Sequence, residues 1–447
     1  MELISQTAVE GRAGPTFGTR YPTLEGVDLT DIAAFSKGQP YAGYARLRSE
    51  APVMWHPETR MDGPGFWAVT RHEDVMAVNG DPTTYSSQRG GILMAAGRPE
   101  ARHALLYRAS MDAMINLDAP HHLQLRREHM PYFTPSYLRG VGERVKGEVT
   151  RLLDAMAHKG QTDLVEDFSS VLPLFTLCEI LGVPEPDRPK FLTWMHYLEE
   201  AQNMAMRSAT EGMTPTLELM QFIADFNSNV EEMFEYGRHM LHKRRADPQQ
   251  DLLTAIARAQ VDGDLLSDEY LDGSWLLIVF AGNDTTRNTL SGSMKLLTEF
   301  PDERAKLIAN PALMPGAVNE FIRMVSPVIY MRRTATCDTE LNGQKIAEGE
   351  KVIMYYGAAN RDAAVFADPD RLDVTRANAD KHIAFGYGPH TCIGKRVAQI
   401  QLEEAYRQIL ARFPDMRWTG EIDIAPNNFV HAIRKLDVSF TPERKAA

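Results

Sequence analysis

Apolar positions recur at helical spacing over most of the middle of the chain, from about residue 135 to 325, for instance across 141–158 and 216–245. Before that stretch, a helical segment over 40–50 is followed by two runs of strand character, Val53-Met54-Trp55-His56 and Phe66-Trp67-Ala68-Val69-Thr70. Strand-like segments return at 332–337 and 351–354, with Asn342-Gly343 as a turn between them, and a last helix over 395–413 precedes a short β-like tail. The pattern predicts a mainly α chain with small β-sheets towards both ends. Pro-rich breaks at Val183-Pro184-Glu185-Pro186, Asp247-Pro248 and Asn310-Pro311 are short enough to be loops, and there is no internal repeat. One domain over 1–447 is expected, with residues 1–20 as a flexible N-terminal arm.

The periodic stretch 267–300 predicts a 34-residue helix, about 50 Å long, enough to cross most of a globule of this size. Its middle contradicts its own periodicity. After the apolar Trp275-Leu276-Leu277-Ile278-Val279-Phe280-Ala281 comes Gly282-Asn283-Asp284-Thr285-Thr286, all poor helix formers, where burial should be deepest. Either the helix ends there, or it is distorted so that backbone and side chains open onto a cavity.

Composition narrows the class. With 44% hydrophobic and 24% charged residues the chain can build a large core. Lys+Arg 48 against Asp+Glu 60 gives −12, and the longest basic run is Lys243-Arg244-Arg245, so a nucleic-acid partner is not expected. Three cysteines supply no disulfide framework and suggest a reducing compartment. Residues 1–18 lack the apolar core of a secretory signal, and the apolar run 275–281 is far shorter than the ~20 residues that span a bilayer. A cytoplasmic protein without a membrane anchor is expected. No His-Glu-x-x-His zinc motif occurs.

The sharpest signal is Phe385-Gly386-Tyr387-Gly388-Pro389-His390-Thr391-Cys392-Ile393-Gly394, just before the last helix. Its glycines allow tight backbone close to a flat ligand, and backbone N–H groups at the helix start favour a thiolate at Cys392. Cys178 and Cys337 have no such surroundings and read as small buried hydrophobes. The loop is no phosphate cradle, because neither Gly-x-Gly-x-x-Gly nor a Lys-Ser/Thr completes it.

This loop resembles the haem-binding signature of the cytochrome P-450 haem-thiolate monooxygenases, and the resemblance covers nearly the whole chain. Ala281-Gly282-Asn283-Asp284-Thr285-Thr286 is similar to their oxygen-activation motif, Glu320-Phe321-Ile322-Arg323 to their Glu-x-x-Arg pair, and Pro369-Asp370-Arg371-Leu372 to the meander whose arginine joins that pair. Leu372 stands where an aromatic is usual, which touches packing and not chemistry. The resemblance implies the P-450 fold, a triangular helical prism with a long central helix over haem b (iron protoporphyrin IX). It makes Cys392 the iron ligand and Glu320, Arg323 and Arg371 structural. Propionate partners are then His122, Arg126, Arg333 and His390, with Arg332 as the competitor of Arg333 and a plain surface histidine as the other reading of His122. Leu277, Ala281, Gly282, Ile329, Ala384, Phe385, Gly386, Ile393, Gly394 and Ala398 are expected against the cofactor.

The implied chemistry is reductive O2 activation and hydroxylation, with Thr285 holding the oxygen species and Asp284 relaying protons; the adjacent Thr286 is the alternative to Thr285. Electrons are expected from a [2Fe-2S] ferredoxin and an NAD(P)H-dependent ferredoxin reductase, because no flavin or iron–sulfur segment is fused to the chain. Arg127, Lys395 and Arg396 suggest a local basic docking patch, each of them equally readable as ordinary charged surface. An apolar substrate (a terpenoid, steroid or alkyl chain) follows from Ile92, Leu93, Met94, Val279, Val328, Tyr330, Phe429 and Val430. Met195, Met204, Met206, Met213, Met220, Met233 and Met240 crowd the segment 191–240, either as adaptable core or as a mobile lid. Rival classes are a haem-thiolate peroxygenase and a non-catalytic binding protein with a structural Cys392.

Overall fold

The structure is a computed structural model that describes residues 24–58, 63–93, 103–211 and 216–444. The expected N-terminal arm, Met94 and Met213 lie outside the described residues, as does the side chain of Met206.

The periodic stretches fold as helices: α1 (Tyr41–Glu50), α2 (His72–Gly80), α3 (Ala104–Asp112), α4 (His121–His129), α5 (Pro135–Met156), α6 (Val171–Leu181), α7 (Arg188–Glu211), α8 (Leu217–Ala246), α9 (Leu252–Arg258), α10 (Asp268–Ala281), α11 (Asp284–Glu299), α12 (Pro301–Ala309), α13 (Met314–Val325), α14 (Tyr356–Ala359) and α15 (Lys395–Arg412). The apolar faces of most of them meet in one large core, while α1, α2 and α14 pack in two smaller clusters with the strands. The strands are β1 (Val53–Glu58), β2 (Gly63–Val69), β3 (Tyr85–Ser86), β4 (Gln161–Asp163), β5 (Gln260–Val261), β6 (Asp264–Leu265), β7 (Tyr330–Ala335), β8 (Thr339–Leu341), β9 (Gln344–Ile346), β10 (Lys351–Tyr355), β11 (Arg417–Ile424) and β12 (Ile433–Ser439).

The largest sheet runs β1-β2-β10-β7-β3, so the early and late strand runs of the sequence pair with one another. Asn342-Gly343 turns a separate hairpin, β8–β9, with both residues at positive φ (49° and 74°), and does not join β7 to β10 directly. Along β7 the side chains alternate. Tyr330 packs on one face with Phe66, Ile353 and Tyr355, and Ala335 on the other with Trp67, Val352 and Met354. The consecutive Arg332 and Arg333 therefore leave the strand on opposite faces.

The expected 34-residue helix is two helices. α10 ends at Ala281 and α11 starts at Asp284, with Gly282 and Asn283 between them. Gly282 suits the close approach there: a Cβ would lie 2.8 Å from the Leu177 Cδ1 methyl of α6 and 3.2 Å from the Ile278 carbonyl. α11 then packs against α13 and α15, which brings the break towards the cysteine loop. Among the described residues no helix is long and apolar enough to cross a membrane.

Candidate active site

The loop before α15 is wound by its own backbone. Cys392 N–H donates to the Phe385 carbonyl at 2.8 Å, Gly386 N–H to Ile383 at 2.9 Å, and the Thr391 hydroxyl to the Gly388 carbonyl at 2.7 Å. Gly388 has φ +70° and lies against α2, where a Cβ would stand 2.6 Å from the Asn79 carbonyl. Cys392 is solvent-accessible although surrounded by protein. That enclosure raises its thiol pKa; the Gly394 and Lys395 N–H groups and the Arg126 and Lys395 charges oppose the shift without overcoming it. The N–H groups at the helix start favour the thiolate, as the sequence implies, but burial outweighs them; a bound metal cation would tip the balance. Cys337, expected to be buried, is exposed, whereas Cys178 is buried as expected.

Four groups converge beside this loop. The His122 and His390 rings stack with centroids 3.9 Å apart, and His122 is buried. Burial first, then the neighbouring Arg126 charge, pulls His122 down to about 4. Burial and then Arg333 pull His390 to about 2, with His122 and Arg126 adding to the effect. Both imidazoles are neutral at pH 7, beside two guanidinium groups. Arg333 spends one donor on the Arg332 carbonyl at 2.8 Å and another on Asn79 Oδ1 at 3.4 Å. Neither Arg126 nor Arg333 has a carboxylate within 4 Å among the described residues. Two cations without a directly paired carboxylate among the described residues, two imidazoles and an accessible sulfur match a group that bears two carboxylates and a thiolate-seeking metal. Haem b is such a group. Asn79 and Ser87, which lies 3.4 Å from His390 Nε2, belong to this cluster too; they sit in ordinary-looking sequence and no motif flagged them.

The helix break forms the opposite wall. Leu277 and Gly282 are half-buried, Ala281 exposed and Thr285 half-buried, although 271–276 of α10 and 286–294 of α11 are buried. Positions 277, 281 and 285 share one helix face, so this face borders an interior opening. The Thr285 hydroxyl donates to the Ala281 carbonyl at 3.3 Å across the break, while Thr286 is buried away from it. Thr285 is therefore the threonine at the opening.

Asp284 is buried, 3.4 Å from Arg287, which holds Glu199 of α7 at 3.0 Å. Arg434 of β12 reaches Glu200 at 2.8 Å and Glu199 at 3.9 Å. Burial raises Asp284 to about 6, the Arg287 charge opposes this, and Glu199 pushes the same way as burial. Arg287 Nε and Nη2, Glu199 Oε1, Arg434 Nε and Asn283 Oδ1 are buried without a hydrogen-bond partner. The contact with α7 was not legible in the sequence, because Glu199 and Arg287 are 88 positions apart.

Glu320 and Arg323 of α13 pair at 2.7 Å with no exposure of either side chain. The arginine that joins them is Arg376, 3.0 Å from Glu320, and not Arg371. Arg371 is exposed and offers only its carbonyl, which Arg376 Nη2 approaches to 3.1 Å. The turns of 368–376 carry the chain back over α13 only at the later arginine.

The expected apolar contacts divide. Ile92, Val328, Tyr330, Phe429 and Val430 gather in one cluster with Phe280, which the sequence reading missed. A Val328–Val430 bridge and an Ile329 N–H to Phe429 carbonyl bond at 2.8 Å hold the two segments together. Val279 and Ile329 have no accessible surface and cannot touch a bound group as placed; Val279 lies on the core side of α10, and Ile329 is locked between strands. Leu93 is exposed. Ala384, Phe385, Gly386, Ile393, Gly394 and Ala398 all keep accessible surface around the cysteine. Of the methionines, Met195, Met233 and Met240 are core, Met204 is half-buried, and Met220 is exposed. Of the basic patch, Arg127 is exposed and Lys395 half-buried, but Arg396 is neutralised by Glu403 at 2.7 Å.

The family profile described as Cytochrome P450 matches residues 93–417. Linalool 8-monooxygenase of Pseudomonas putida is 34% identical over 426 residues, covering 94% of this chain and 100% of that protein. Steroid C26-monooxygenase of Mycobacterium tuberculosis is 32% identical over 93% of this chain and 97% of that one. Among solved structures, Mycobacterium marinum cytochrome P450 CYP268A2 in complex with pseudoionone superposes with a TM-score of 0.82 at 33% identity, over 94% of this chain and 99% of that one.

Proposed function

The chain belongs to the cytochrome P450 family and is a haem b monooxygenase, and on that premise we propose that it hydroxylates an apolar terpenoid, steroid or alkyl-chain substrate. The observation that carries the reading is the accessible face of Leu277, Ala281 and Thr285, with an enclosed carboxylate at Asp284 behind it and the apolar cluster of Ile92, Phe280, Val328 and Phe429 beside it. Bound haem supplies reductive activation of O2, and thiolate ligation favours O–O cleavage. Cys392 would hold the iron, and His122, Arg126, Arg333 and His390 the two carboxylates. Asp284, titrating close to neutral pH, passes protons towards Thr285 Oγ1. Burial of the Asp284 cluster keeps bulk water from the opening. The pair of proton-handling residues favours O2 over peroxide as oxidant.

Electrons come from a [2Fe-2S] ferredoxin and its NAD(P)H-dependent reductase in the cytoplasm, with the whole chain acting as one domain. In support, Leu123 and Met130 expose 47% and 43% of their surface on the segment that carries Arg127, and Tyr387 of the cysteine loop, which also precedes Lys395, exposes 44%. An apolar centre with a basic rim suits a small acidic partner.

The test is optical titration of the purified holoenzyme with alkanes, terpenes, steroids and aromatics. A saturable high-spin shift of the Soret band by one apolar class is expected. A haem protein that no apolar compound shifts would overturn the substrate class, and a chain that binds no haem would overturn the activity.

A further inference from the structure

Four arginines among the described residues have a guanidinium nitrogen that is buried and unpartnered: Arg287, Arg332, Arg361 and Arg434. Three of them have a carboxylate within 4 Å, Arg287 from Glu199, Arg361 from Asp370 and Arg434 from Glu200. Arg332 has none among the described residues. Its two side-chain contacts are long and to neutral oxygens, Nη1 at 3.4 Å from the Leu93 carbonyl and Nη2 at 3.2 Å from Thr334 Oγ1. The nearest acid, Glu58, is held by Lys351 and by the Gly65 N–H. Among the described residues, Arg332, Lys351 and Glu58 together therefore leave one positive charge without a paired carboxylate at the rim of the sheet. An enclosed cation in that state is expensive unless something anionic reaches it.

The side chain is also held in place. Gly90 has φ +91°, and a Cβ there would stand 2.3 Å from Arg332 Nη2, so the guanidinium lies directly on a bare backbone. The Arg332 N–H donates to the Ile92 carbonyl at 2.9 Å, tying β7 to the segment that carries two of the expected substrate contacts. Its face of β7 is the face of Tyr330, in the same apolar cluster as Ile92, Phe280 and Phe429. Arg333, one residue on, leaves by the other face to join His122 and His390.

From this placement we propose that the substrate carries an anionic end, a carboxylate, that Arg332 binds while its apolar body lies along Tyr330, Ile92 and Phe280. The substrate class becomes an amphipathic carboxylic acid, oxidised on its hydrocarbon part. This rests on the monooxygenase reading and adds a polar recognition point to it. A guanidinium with free donors fits a carboxylate in two-pronged fashion, and the Lys351–Glu58 pair beside it leaves Arg332 as the cation that the anion meets.

The test compares matched probes on the holoenzyme at pH 8: saturated C12–C16 acids, their methyl esters and the corresponding primary alcohols, followed by the Soret shift and, independently of the haem band, by equilibrium dialysis with radiolabelled dodecanoate. The acid is expected to bind about tenfold more tightly than its ester, as a charge-assisted hydrogen bond provides. Arg332→Gln should erase that gap with the ester affinity unchanged, and Arg332→Lys should keep part of it. Equal affinities of acid and ester for the wild type, a gap that survives in Arg332→Gln, or no dodecanoate binding would each overturn the proposal. If neutral terpenes or steroids shift the spectrum while acids do not, the monooxygenase reading stands and the anionic end is wrong. If Arg332→Gln does not fold, the wild-type comparison and Arg332→Lys still decide.

Discussion

Two buried arginine–carboxylate clusters stand on either side of the site, and they are built to opposite specifications. In the first, Glu320 accepts from Arg323 at 2.7 and 2.8 Å, from Arg376 at 3.0 Å and from the Asp373 N–H at 3.0 Å. Arg323 turns its remaining donors on the Asn360 and Pro369 carbonyls at 2.7 and 2.8 Å. In the second, Asp284, Arg287, Glu199 and Arg434 share ion pairs of 3.0–3.9 Å, and five polar atoms of these residues and Asn283 lack a partner. A saturated network fixes the chain around it; an unsaturated one keeps donors and acceptors able to change partners, as proton transfer requires. The first cluster ties α13 to the loop that leads to the cysteine. The second ties the break to α7.

The largest effect should follow from breaking the saturated cluster. Arg323→Leu leaves Glu320 buried and short of its strongest partner, at a cost of about 3–5 kcal/mol, read as loss of folded, haem-loaded protein in denaturant unfolding. Next comes Asp284→Asn, which should keep the fold and the substrate-induced spectral shift but lower turnover by about 10²-fold. The folded-state value of Asp284 lies above its ordinary 3.8, so its carboxyl favours folding at low pH and that contribution is lost as pH rises through about 6. Asp284→Asn should accordingly gain stability relative to the wild type above pH 6 and none below about pH 4, measured by thermal unfolding across pH. If turnover stays intact in this variant, the unsaturated cluster is structural after all.

Thr285→Ala should leave NAD(P)H consumption running while the fraction recovered as product falls severalfold, checked by stoichiometry; unchanged coupling would remove Thr285 from proton handling. A smaller effect is expected for Glu199→Gln, the positioning residue on α7. Glu199 raises Asp284, so its neutralisation should lower the Asp284 value and move the alkaline fall of turnover to lower pH, with little change in folding stability. An unmoved pH profile would uncouple α7 from proton delivery. The smallest is Arg371→Ala, within about 0.5 kcal/mol, since its side chain is exposed and its useful carbonyl survives. A larger loss would return Arg371 to the saturated cluster.

What the sequence disclosed and what it hid follow the same divide. Local chemistry was legible: the break at Gly282 shows because glycine, asparagine and threonine are poor helix formers, and Cys392 because its loop is dense in turn residues. The choice of Arg333 over Arg332 also agrees with the placement of the two side chains on β7, because strand alternation separates neighbours. Long-range choices were not legible. Arg371 and Arg376 stand in similar loop sequence, and only the path of the chain between Asp368 and Arg376 decides which reaches Glu320. Val279 sits between the accessible Leu277 and Ala281 in the sequence but a half-turn away on the helix, in the core. Glu199 and Arg287 meet only because α7 lies over α11, and no periodicity reports that.

The two-residue interruption between α10 and α11 also sets up a local electric field. A single continuous helix keeps its partial charges at its distant ends, about half an elementary charge each. Cutting it at Gly282 brings a new negative pole, the last carbonyls of α10, up against a new positive pole, the first amides of α11. Thr285 spans the two poles through its bond to Ala281, and Asp284 occupies the positive one. Any substitution that healed the helix would abolish both poles at once, so the polarity of this opening is a property of where the rod is cut and not of any one side chain in it.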